Sequence, residues 1–159
     1  MDEAKLSRDE SIDFAKKYLE DLLSFFGLNT AVTVHCDDDV IELGVPSTHL
    51  NGFLIGQRGE TLRSLQYLLS MSLKNKNAEL NRVNIDVASY KQHRADRLSE
   101  QVREWCQQVV STGKAMTLKP MNPADRRVAH HVVGEFGSLE SHSEGEGRDR
   151  HLVIAKAGE

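Results

Sequence analysis

The sequence predicts an α+β chain built as two small units joined by a long helix. Three observations carry this reading. Apolar residues recur at helical spacing in several stretches, and between them short segments alternate apolar and polar residues as half-buried strands do. The order α-β-β-α-α-β is complete by about residue 88. After one long helix, a second and shorter mixture of strand and helix follows. A chain of 159 residues suits two units of about 80 residues each, near the lower size limit for a self-sufficient core.

The elements follow in order. Ser7 with Glu10 three residues later is a capping box. Ile12, Ala15, Leu19, Leu22, Leu23 and Phe26 then repeat at helical spacing, and Gly27 is a natural stop, so a helix is expected over 8–26. Val32 and Val34 alternate with polar residues, Asp37-Asp38-Asp39 turns the chain, and Ile41, Leu43 and Val45 alternate again, which predicts a hairpin. A short helix is expected over 48–55 and a second after Gly56-Gln57-Arg58-Gly59, with Leu62, Leu65, Leu68, Leu69 and Leu73 as its core stripe. Val83, Ile85 and Val87 predict a third strand.

Leu98, Val102, Trp105 and Val109 place the long joining helix at 90–112, ended by Gly113, with Trp105 in its core stripe. A short strand is expected over 114–119, stopped by Pro120. Asn122-Pro123 reads as an N-cap with proline in the first turn of a helix running to Gly134. Two strands, 138–143 and 150–156, flank the turn Glu144-Gly145-Glu146-Gly147. The division expected is a first unit over 7–88 and a second over 89–157, the joining helix counted with the second.

Composition and charge narrow the function classes. The chain is 39% apolar and 28% charged, ordinary for a globular protein. No apolar run approaches the roughly 18 residues of a membrane span. Met1 to Glu10 is charged and lacks an apolar signal core, so a cytoplasmic location without membrane insertion is expected. Cys36 and Cys106 have no CxxC partner and are expected as two buried free thiols. The net charge of −4 is uneven. Residues 1–48 hold 4 basic and 11 acidic side chains, residues 49–120 hold 11 and 6, and residues 121–159 hold 5 and 7. The basic part is the middle, and local fields steer ligands more than the total does.

Two short motifs stand out. Gly56-Gln57-Arg58-Gly59 joins two helices. Glycines in such a turn let a nucleic-acid backbone come close, the following helix offers N–H groups and a positive dipole end to phosphate, and Arg58 adds a mobile charge. The plainer alternative is a helix–helix corner. Arg126 and His130 are four apart and share a helix face. Arginine supplies a fork for phosphate and histidine a ring that can hydrogen-bond or stack. The plainer alternative is a solvated face with a half-buried histidine.

The order α-β-β-α-GxxG-α-β resembles the K-homology domain in its bacterial type II arrangement, over residues 7–88. In that family the GxxG loop clamps about four nucleotides of backbone while an apolar groove receives the bases. The resemblance implies that Gly56, Gln57, Arg58 and Gly59 form the loop and that Ile55 with Leu54 abuts the groove. Asn-Pro-Ala-Asp-Arg-Arg-Val-Ala-His, followed by His-Ser-Glu-Gly-Glu-Gly-Arg-Asp-Arg and a strand, resembles the Arg-x-x-x-His (R-three-H) domain. A K-homology unit ahead of that domain is the hallmark of the bacterial Jag family, also called KhpB or EloR, which the chain resembles over nearly its whole length.

That resemblance implies binding of single-stranded RNA, with single-stranded DNA as an alternative, and no catalysis or cofactor. The role would be that of an RNA chaperone or post-transcriptional regulator tied to cell elongation and division. Arg126 and His130 match the motif, and Arg127, Arg148 and Arg150 are expected as helpers. His151 stands where relatives often carry a basic residue. Many members have an additional N-terminal domain and linker, whereas this sequence starts almost at its first helix, so roles of that domain are not carried over. The alternative function is a protein-interaction scaffold pairing with a small K-homology-only protein.

Other chemistries lack their residue sets. His130 and His131 diverge on a helix and have no third ligand at zinc-like spacing, so no metal is expected. Gly145-Glu146-Gly147 lacks the lysine of a P-loop. There is no GxSxG element and no paired catalytic carboxylate, so no enzyme is expected. The Asp37–Asp39 turn is expected to repel phosphate.

Overall fold

The computed structural model describes residues 5–158, so the first four residues of the charged N-terminal segment lie outside the described part. The chain divides between Lys91 and Gln92 into two compact units.

The first unit begins with α1 (Arg8–Phe25). Its capping box forms as the sequence demands: the Ser7 amide donates to the Glu10 carboxylate at 2.8 Å, and the Glu10 amide donates to the Ser7 hydroxyl at 3.4 Å. These bonds hold the Glu10 carboxyl below its usual pKa range. Strands β1 (Thr33–Asp37) and β2 (Val40–Val45) form the hairpin. Its two-residue turn puts both Asp38 (φ 45°) and Asp39 (φ 61°) at positive φ, the geometry that matches strand twist. Then come α2 (Asn51–Ile55), a single 3₁₀ turn (Gln57–Gly59), α3 (Glu60–Asn75) and β3 (Arg82–Val87). The sheet order is β1-β2-β3, with β1 antiparallel and β3 parallel to β2. The α-β-β-α-α-β order is therefore the observed one.

Alternation places Ile41, Leu43, Val45, Val83, Ile85 and Val87 on one buried face of this sheet. Ala15, Leu19 and Leu23 of α1 and Leu62, Leu65, Leu69 and Leu73 of α3 close over it. Three expectations need correction. Leu68 is 48% exposed, because a residue one position before Leu69 points about 100° away from the buried stripe. Leu54 is fully buried among the core side chains, so it cannot abut an open groove. Cys36 is only half-buried on the outer strand β1, near the Arg8 guanidinium, while Cys106 is buried.

The second unit contains most of α4 (Tyr90–Thr112), then β4 (Met116–Thr117), α5 (Pro123–Gly134), β5 (Leu139–Glu144) and β6 (His151–Lys156). Its sheet order is β4-β6-β5, all antiparallel. Val102, Cys106 and Val109 of α4 meet Ala129, Val132 and Val133 of α5 and Leu152 and Ile154 of β6. Trp105 is half-buried against the same core. The strand expected over 114–119 shrinks to two residues, and β5 runs to Glu144, so the turn expected at 144–147 starts later and includes a 3₁₀ turn at Gly147–Asp149. No described helix is long and apolar enough to cross a membrane.

Two neighbouring leucines test the packing. Leu69→Ala empties a buried site and should cost about 2–5 kcal/mol in urea unfolding. Leu68→Ala should stay within about 1 kcal/mol of the parent. Equal effects would show the stripe to be misassigned.

Candidate nucleic-acid interface

In the first unit, α2 ends and α3 begins within four residues. Gly56 sits at φ 70°, ψ −178°, a region open essentially to glycine. Arg58 (φ 53°, ψ 26°) and Gly59 (φ 76°, ψ 20°) follow in the left-handed region. A Cβ on Gly56 would lie 2.2 Å from the Thr61 hydroxyl and 2.9 Å from its backbone nitrogen. One on Gly59, which is buried, would lie 3.2 Å from the Tyr90 ring. Packing thus demands glycine at position 56, while at 59 the left-handed backbone and the nearby Tyr90 ring favour it. The residues between them, Gln57 and Arg58, are exposed. Gly59 caps α3 with no side-chain acceptor, so no side chain competes there with an incoming anion for the first-turn N–H groups. Ile55 is half-buried against the core.

Beyond the loop, an open depression of about 360 Å³ runs beside α3. Val40 and Val83 are its apolar residues, and Arg63, Gln66, Tyr67, Ser70 and Arg82 complete the lining. Tyr67 is 66% exposed. Gln66 accepts from the Ile85 amide (3.1 Å) and Ser70 donates to the Asn81 carbonyl (2.7 Å), which locks α3 against β3. Among the described residues the ion pairs involve Arg8, Arg94, Arg103, His142 and His151, so Arg63 and Arg82 keep their charge available. Lys91 donates to Asn84 at the same strand, and burial lowers its pKa. Sequence reading missed Arg63, Tyr67 and Arg82; their signal was the basic middle of the chain, but which of its cations share a surface depends on how α3 meets β3.

In the second unit, Asn122 caps α5 by accepting from the Asp125 amide at 2.9 Å, and Pro123 occupies the first turn. Asp125 is buried and accepts a fork from Arg94 of α4: Nε to Oδ1 at 3.0 Å and Nη2 to Oδ2 at 2.5 Å. This pair fixes the start of α5. One residue on, Arg126 donates from Nη1 to the Met121 carbonyl at 2.7 Å. The Met121 amide donates to the Arg150 backbone carbonyl at 3.2 Å, so the same residue anchors the Arg126 side chain and the chain just before β6. Arg127 and Arg148 are exposed. Arg148 lies in the 3₁₀ turn and Arg150 directly before β6.

His130 faces β5, where its Nδ1 lies 2.8 Å from the Ser141 hydroxyl and its Nε2 3.2 Å from that of Ser143. Both serines occupy positions that alternate with exposed residues and face inward beside Leu139. Burial, with the Arg126 guanidinium and the neighbouring His142 ring, depresses the His130 pKa. The two serines therefore fix the ring's orientation, and its surroundings favour the neutral form. The serine pair was legible only as Leu-x-Ser-x-Ser, which reads as a weakly apolar strand until His130 is seen across from it.

Comparison with known families places the R-three-H domain at residues 96–156. The RNA-binding protein KhpB of Clostridium symbiosum is 29% identical over 153 residues, covering 95% of this chain and 69% of that protein. The KhpB of Bacillus subtilis is 29% identical over 152 residues, 92% of this chain and 71% of that protein. The KhpB of Lactiplantibacillus plantarum is 31% identical over 108 residues, 68% of this chain and 34% of that protein.

The titration of His130 checks this geometry. A histidine whose folded pKa lies below the unfolded value binds fewer protons in the native state, so stability holds above about pH 6.5 and falls as pH drops through that value toward the folded pKa. NMR should place the His130 midpoint below that of an unfolded peptide, and Arg126→Ala should move it upward. A midpoint at or above the peptide value would contradict a partly buried ring beside the Arg126 guanidinium.

Proposed function

From a chain that contains an R-three-H domain and is related over nearly its whole length to the KhpB proteins, we propose that it binds single-stranded RNA without catalysis, through two separate grips. The first is a K-homology unit over 7–88, the second the Arg-x-x-x-His unit over 89–157. The observation that carries the reading is the exposed Gln57-Arg58 turn at the start of α3, continued along that helix by a depression holding two available arginines and an exposed tyrosine. Phosphate needs cations and N–H groups, and unpaired bases need apolar or aromatic surface; this face offers both. Ile55 supports the loop from beneath.

In the second unit Arg126, Arg150 and the exposed Arg127 and Arg148 form the cationic side, and His130 sets the face. With both ring nitrogens engaged by serines, His130 offers its ring plane or its neighbours rather than a charge. Binding of this kind, with no reacting group in the site, fits an RNA chaperone or post-transcriptional regulator in the cytoplasm. A small K-homology-only protein is the partner that fits the scaffold alternative.

Replacing Gln57 and Arg58 together by Asp tests the loop. Aspartate tolerates the left-handed conformation at position 58, and the glycines remain, so the fold should persist. Each lost charge-assisted contact is worth about 1.5–3 kcal/mol. Affinity for single-stranded RNA should fall, and in the parent that RNA should outcompete a duplex of equal length. Unchanged affinity with intact circular dichroism removes the loop from the site.

A salt titration tests the second grip. Each phosphate contact on a single strand contributes about −0.7 to the slope of log affinity against log salt. Arg126→Ala should make the slope shallower by about that amount, while His130→Ala should lower affinity with little change in slope. If Arg126→Ala alters neither in a folded protein, the scaffold reading takes its place.

A further inference from the structure

Three of the five phenylalanines are exposed at one end of the first unit: Phe25 at 85%, Phe26 at 40% and Phe53 at 56%. Phe26 and Phe53 touch edge to face, with ring centroids 5.2 Å apart and planes at 64°. Such a contact is favourable and orients both rings. Nothing in the core requires it, since α2 is already anchored by the fully buried Leu54. Phe53 lies three residues before Gly56, on the same side of α2 and within one helical turn of the loop. From Leu50 to Gly59 the chain has no carboxylate and one arginine; the exposed Glu60 follows at the start of α3.

We propose that Phe53, braced by Phe26, is a base-stacking platform that extends the loop site by one nucleotide. The inference rests on the loop reading of the preceding section. The loop holds phosphate and carries no ring of its own. An exposed, pre-oriented aromatic beside it supplies the face that any unpaired base can cover, without regard to sequence. Orientation by Phe26 lowers the ordering cost that a free side chain would incur on binding.

The test is the affinity of the whole chain for a short single-stranded RNA of mixed sequence, at several salt concentrations, with the same oligonucleotide carrying abasic sites as a second probe. Phe53→Leu keeps apolar bulk and removes the ring; it should weaken binding about 5- to 100-fold. The salt slope should stay that of the parent, because stacking releases no counterion. Phe53→Trp should bind at least as tightly as the parent. With the abasic probe the parent and Phe53→Leu should converge.

Parent affinity in a folded Phe53→Leu, or an equal loss with the abasic probe, overturns the platform. If at the same time the paired Asp substitutions at Gln57 and Arg58 still weaken binding, the loop reading survives alone. If those substitutions are also silent, both readings fail. A Phe53→Leu chain that changes its association state in sedimentation while binding RNA like the parent would assign the ring to a protein contact and likewise overturn the platform.

Discussion

Each unit holds a three-stranded sheet with one apolar face, and covering that face is the constraint from which the rest follows. In the first unit β2 and β3 are parallel, so the chain must leave the end of one strand and return to the start of the other. It does so through α2 and α3, and both must lie on the apolar side. Two helices meeting in so short a span need a sharp reversal, hence the positive φ angles at residues 56, 58 and 59. The exposed tip of the reversal is the Gln57-Arg58 pair. The candidate site is thus the outer surface of a turn that the sheet makes necessary.

The glycines illustrate how packing shapes the candidate loop. Their missing side chains face Thr61 and Tyr90, within the protein. Their first duty is to let α2, α3 and the start of α4 approach one another. What the loop offers outward is backbone and the two residues between the glycines. A substitution at Gly56 would therefore disturb the packing, whereas positions 57 and 58 are exposed and can change without touching it.

The second unit meets the same constraint with polar means. Asp125 is buried, and its charge is matched by a forked Arg94 from α4 and by its place in the first turn of α5. Breaking one partner would leave a charge in the core, so the pair specifies where α5 starts and hence which face its next turns present. Across from that face, Ser141 and Ser143 stand where an apolar strand would carry hydrophobic side chains, and they receive His130 there. The same residue thus belongs to the core on one side and to the candidate surface on the other.

By itself the sequence determined the element types, their order and the two recognisable motifs. These depend on local periodicity, capping and turn chemistry, all of which are written in neighbours a few residues apart: the capping box at Ser7, the Asn122-Pro123 start and the alternation of β2 and β3 are of this kind. Only the tertiary structure decided which side of each residue is covered. It exposed Leu68 and buried Leu54, half-exposed Cys36 because β1 is an edge strand, and put Arg148 in a 3₁₀ turn. It gathered Arg63, Tyr67 and Arg82 around one depression and tied the Arg126 side chain to the Met121 backbone. The physical reason is common to all of these. A surface is made by residues distant in sequence, and their meeting is set by how helices pack on a sheet rather than by any local pattern.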